Sequence, residues 1–133
     1  MVSRVLQDLK YIRLWLAIGA GLVALVVWLS LTPDPIDIGG KVEGVNSGHF
    51  VAYLVLMLWF GQLLRPLRAK LVAAALFVLM GVALEYVQDL TPFHRTFAYT
   101  DMRDDAFGVA AGLALGFTAL GRSLAWLEAR RGG

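Results

Sequence analysis

At 133 residues the chain is long enough for one domain and too short for two independent cores. An apolar content of 59% and a mean hydropathy of +0.68 exceed the roughly 45–50% apolar of soluble proteins. The charges also gather at segment ends, which excludes a soluble bundle whose helices each need a polar outer face. With no cysteine, disulfides and thiolate metal sites are excluded, and a net charge of +2 says little until it is divided by position.

In chain order, residues 1–10 read as a short amphipathic or frayed lead. A first apolar span is predicted over 11–31, close to the ~20 residues that cross hydrocarbon. Arg4, Lys10 and Arg13 precede it as in a signal peptide, but it is longer than a usual signal core and no A-x-A-like cleavage site precedes Pro33, so it reads as an uncleaved span. Pro33-Asp34-Pro35 ends it, because proline cannot continue the helical ladder. A glycine-rich, mildly acidic connection over 32–48 reads as a surface cap.

A second span is predicted over 49–64, with Asn46 or Ser47 as its N-cap. The basic turn Arg65-Pro66-Leu67-Arg68-Ala69-Lys70 leads to a third span over 71–88, and a fourth follows over 101–127. Residues 128–133 read as a mobile basic tail. The expected class is therefore all-α, a polytopic membrane protein of four transmembrane helices forming a single domain over 1–133. Trp15, Trp28 and Trp126 near span ends read as interfacial anchors.

Arg4, Lys10, Arg13, Arg65, Arg68, Lys70, Arg122, Arg130 and Arg131 fall on one side of this layout, against Asp8 and Glu128. The other side holds Asp34, Asp37, Glu43, Glu85, Asp89, Asp101, Asp104 and Asp105, against Lys41, Arg95 and Arg103. The positive-inside rule then puts both termini in the cytoplasm, N-in and C-in. The basic residues are accounted for by topology, so nucleic acid is not an expected partner; membrane lipids are.

Polar side chains converge at the outer ends of the last three spans. Glu85 and Gln88 lie three residues apart and Asp89 four from Glu85; His49 and Tyr53 are i, i+4 neighbours; Asp101, Asp105, Gly108 and Gly112 follow one face of span four. Ionisable groups at bilayer depth cost a few kcal/mol and usually face a protein interior or a water cavity. A purely architectural reading stands beside the functional one: Asp101 would cap span four, and Arg95 would be the counter-ion of Glu85 or Asp101. Gly108, Gly112 and Gly116 at four-residue spacing read as a helix-packing face. No H-x₃-H or H-E-x-x-H spacing joins His49 or His94, so no metal and no cofactor is expected.

These residues resemble the VanZ-like family of small bacterial membrane proteins, named for a teicoplanin-resistance accessory protein. The likeness consists of H-x-x-x-Y at His49 and Tyr53, E-x-x-Q at Glu85 and Gln88, and Pro92 and Arg95 in the loop. It ends on Asp101, Asp105, Gly108 and Gly112, where the family pattern is D-x-x-x-N-x-x-G-x-x-x-G. Asp105 replaces the family's usual Asn, and Asn46 stands where a Lys usually precedes the His.

The resemblance implies a multi-pass protein of the bacterial cytoplasmic membrane with an envelope role. It would bind or act on a lipid-linked or amphiphilic cell-surface molecule and be linked to glycopeptide resistance. Glu85 is the candidate proton carrier with Asp101 as a second candidate catalytic acid, and Arg95, Gln88, His49, Tyr53 and Asp105 are the candidate ligand-binding set. Two other classes stay open: a non-enzymatic scaffold docking a partner through its glycine face, and a small proton-coupled transporter acting as a homo-oligomer.

Overall fold

The computed structural model describes the backbone of residues 5–31, 41–42, 45–90 and 99–132. Five α-helices carry these residues: α1 (Ile12–Leu31), α2 (Ser47–Leu63), α3 (Leu67–Leu90), α4 (Tyr99–Leu115) and α5 (Ser123–Gly132). A short 3₁₀ turn over Ala119–Arg122 joins the last two, and a two-residue antiparallel pair, β1 (Lys41–Val42) with β2 (Val45–Asn46), precedes α2. The chain is all-α in class.

Ile12–Leu31 and Leu67–Val87 are each long and apolar enough to cross a membrane, α2 is a shorter apolar helix, and α4 with the C-terminal segment passes the same test as a bent pair. Leu14, Ile18, Leu25 and Trp28 on α1 and Val72, Leu76 and Leu79 on α3 are all exposed. In water such a surface would aggregate; in a bilayer acyl chains cover it at no cost. These are the features of a membrane protein.

α2 is the central element, with its most extensive interface against α4. The sequence explains why. A Cβ at Gly112 would lie 2.5 Å from the Leu54 carbonyl oxygen, and one at Gly108 would run into the Phe50 carbonyl, so only glycine lets the two backbones approach this closely. Around the contact lies a core of Tyr53, Leu56, Met57, Val26, Phe77 and Val109. A second cluster, Trp15, Leu63 and Leu124, closes the other end.

At that second end three chain segments meet. The N–H of Gln7 donates to the Leu63 carbonyl at 2.8 Å, its side-chain amide donates to Leu64 O at 3.2 Å, and the N–H of Arg65 donates to Val5 O at 2.7 Å. Residues 5–10 of the expected frayed lead thus form a strap that satisfies the orphan carbonyls at the end of α2. Pro66 opens α3 where its missing N–H costs nothing, and its carbonyl accepts from Lys70.

The single helix expected over 101–127 is broken. α4 ends at Leu115, and the following segment turns by 73°. Phe117 and Thr118 donate to carbonyls three residues back, which tightens the last turn, and the Thr118 hydroxyl caps the 3₁₀ turn by accepting from Leu120 N–H. Gly116 therefore does not extend the packing face of Gly108 and Gly112. It forms the corner, and Gly121 sits so tightly against the Gly116 backbone that no Cβ would fit.

The expected mobile tail is also ordered, as α5. The Gln62 side-chain oxygen accepts from Leu124 N–H at 2.9 Å and from the Ser123 hydroxyl at 3.0 Å, capping its N-terminus. Farther along, Glu128 accepts the N–H groups of Lys10 and Tyr11 at 2.7 and 2.8 Å and the Trp15 indole N–H at 2.6 Å. One carboxylate therefore caps the start of α1 from 117 residues away. Trp15, expected at a lipid interface, is instead 9% exposed, while Trp28 and Trp126 are exposed.

Candidate functional site

The candidate site lies at the end of α2 opposite this strap. His49 sits in the first turn of α2, and Tyr53 follows one turn on along the same face. Asp105 comes from the first half of α4, three residues before Gly108 and seven before Gly112. The glycine stripe that draws α4 onto α2 therefore also sets Asp105 against His49: Nδ1 and Asp105 Oδ1 are 2.8 Å apart. With Asp105 ionised, the ring proton is on Nδ1 and Nε2 is the acceptor atom of the neutral imidazole.

α3 supplies the third wall. Phe77, Gly81 and Glu85 are spaced at i, i+4 and i+8, so they share a face. A Cβ at Gly81 would sit 2.7 Å from Asp105 Oδ2, so the absence of a side chain there makes the seat for this carboxylate. Glu85, one turn farther, is 2% exposed, and Asp104 and Asp105 are 1% and 3% exposed. Tyr53 is buried and within electrostatic reach of Asp105 and Glu85. Three helices thus bring a histidine, a phenol and buried carboxylates to one place.

Of the residues predicted for this site, His49, Tyr53, Glu85 and Asp105 come together. Gly108 and Gly112 position them. Arg95 lies outside the described residues, as does Pro92, and the side chains of Gln88 and Asp101 are likewise outside the description.

Two contributors were missed. Gly81 was legible, since it lies one turn from Glu85 on the same face, but a lone glycine in an apolar helix reads as neutral. Arg103 pairs with Asp104 at 3.3 Å and stands over the Phe107 ring at 6.0 Å. Asp104 is buried, with the half-exposed Arg103 guanidinium above it.

Chemically, an imidazole held by a buried carboxylate can take and return a proton, and the exposed Arg103 guanidinium can meet an anionic group at the rim. Among the described residues no buried side-chain nitrogen or oxygen lacks a hydrogen-bond partner, and no group of three His, Asp or Glu side chains has metal-binding geometry.

No family model, curated protein or solved structure matches this chain.

Proposed function

We propose that the chain is a VanZ-like envelope protein of the bacterial cytoplasmic membrane, multi-pass, with both termini inside and the His49–Asp105–Glu85 cluster turned to the outer leaflet. There it binds the polar head of a lipid-linked or amphiphilic cell-surface molecule. The observation that carries this reading is the 2.8 Å contact between His49 and the buried Asp105, beside a Glu85 that is 2% exposed. Charges withdrawn this far are expensive in a membrane and weak as stabilisers, which favours a use for them.

Geometry supports the placement. α2 has 17 residues, so at about 1.5 Å per residue it spans roughly 26 Å, less than the ~30 Å of hydrocarbon. An end that short brings His49 near headgroup level. The strap, the α2–α3 turn and α5 share the opposite end with most of the cations, as a cytoplasmic face would.

The test is susceptibility to teicoplanin in a strain that depends on this protein, comparing wild type with Glu85→Gln and His49→Gln at matched membrane levels. Loss of protection with retained thermal stability supports the reading; full protection by both variants overturns it. A second reading is an architectural cluster without ligand, favoured by the moulding of Gly81 around Asp105 and by the absence of unpartnered buried polar atoms among the described residues. It is the outcome if both variants lose stability and the surviving protein still protects.

A further inference from the structure

At the strap end, a cavity of about 250 Å³ opens between α1 and α5, lined by Tyr11, Leu14, Trp15, Leu127, Glu128 and Arg131. Its walls are mostly apolar, and its one acid is already engaged: both oxygens of Glu128 accept hydrogen bonds, from Lys10 N–H, Tyr11 N–H and the Trp15 indole. Arg131 is part of the lining; Lys10 is not, but it stands beside two residues that are, its ammonium 5.5 Å from the centre of the Tyr11 ring and close enough to Glu128 to act on its charge. Arg131 and Glu128 balance within the lining, so the neighbouring Lys10 leaves one positive charge over at this end of the cavity.

The cavity also has a continuation. Leu14, Ile18, Leu25 and Trp28 lie at spacings of four, seven and three along α1, so they form one exposed apolar stripe leading away from the cavity toward the opposite end. A cationic mouth with an apolar track has the chemistry of an anionic phospholipid, whose phosphate needs donors and whose chains need a greasy groove.

We infer that this cavity is a specific site for an anionic phospholipid, its phosphate held by Arg131 and Lys10 and an acyl chain laid along Leu14 and Ile18. The inference is independent of the proposed role of the His49 cluster. A bound lipid would bridge α1 and α5, the two elements already joined through Glu128.

Native mass spectrometry of the detergent-purified protein tests it, with phosphatidylglycerol, phosphatidylethanolamine or glycerol 3-phosphate added. Phosphatidylglycerol is expected to bind more tightly than phosphatidylethanolamine, and Arg131→Gln and Lys10→Gln should each weaken it about fivefold. Lys10→Gln leaves the backbone N–H to Glu128 in place, so the fold is kept, and Arg122→Gln, away from the lining, should change nothing. Equal binding of the two lipids, unaltered binding by the Arg131 and Lys10 variants, or an equal loss in Arg122→Gln would overturn the proposal. Displacement by glycerol 3-phosphate at equal concentration would point to a soluble phosphate and overturn it too.

Discussion

The two ends of the bundle bury carboxylates in opposite ways. Glu128 faces fixed donors, two backbone N–H groups and an indole, none of which titrates near neutral pH. Asp105 faces the His49 imidazole, whose ring nitrogens can each take or give a proton. Burial of an acid therefore does not mark a functional site by itself. Its partners distinguish a helix cap from a group able to exchange protons, and this difference is why the proposed function rests on the His49 end.

The largest effect is expected from Gly108→Leu. A side chain there meets the Phe50 backbone, so α4 must leave α2 and the His49–Asp105 contact opens. The substitution should abolish the folded state in detergent, seen as loss of a cooperative thermal transition. If the protein folds and only the His49 ring signals change in an NMR spectrum, while the Trp15 indole N–H signal stays, the two ends are energetically independent.

Next is Glu128→Ala, which strands three donors at once and should cost about 3 kcal/mol or more. The pH dependence follows from the same contacts. Burial alone would raise the Glu128 carboxyl, but the hydrogen bonds from Tyr11, Trp15 and Lys10 more than offset it and hold the group below its ordinary value of 4.5. A carboxyl lowered in the folded state adds stability above about pH 4.5, and that stability is lost as pH falls through the folded value. Thermal stability of the wild type should drop through this acid range more steeply than that of Glu128→Gln. Parallel curves would remove the cap from the account.

A smaller loss, about 1–3 kcal/mol, is expected for Gly81→Ala, whose methyl would press on Asp105 Oδ2. The readout specific to the site is a change in the His49 ring signals in NMR; an unchanged His49 would mean that Asp105 does not hold the ring. The smallest effect belongs to Asp105→Asn. Its oxygen still accepts from Nδ1–H, so stability should change by under about 1 kcal/mol while the His49 ring signals in NMR change, because the ring loses its anionic partner. His49 ring signals that do not change would show that Asp105 is not the partner of the ring.

Much of this was legible in the sequence. Apolar run lengths gave the helices, since a segment with no polar face has few other places to fold. The i, i+3, i, i+4 and i, i+7 spacings put His49 with Tyr53 and Asp105 with Gly108 and Gly112 on shared faces, because helical geometry fixes those relations locally. What lay beyond reach were relations between distant positions. Nothing near Glu128 or Gln62 signals that each caps a helix, because the donors belong to segments 117 and 62 residues away. The break after Leu115 hides in the same way. Gly116 continued the glycine spacing, and only the seat of Gly121 against it makes the corner. Helical period determined which side chains share a face; the close approach of backbones, and the donors left over at helix ends, decided which faces and ends meet.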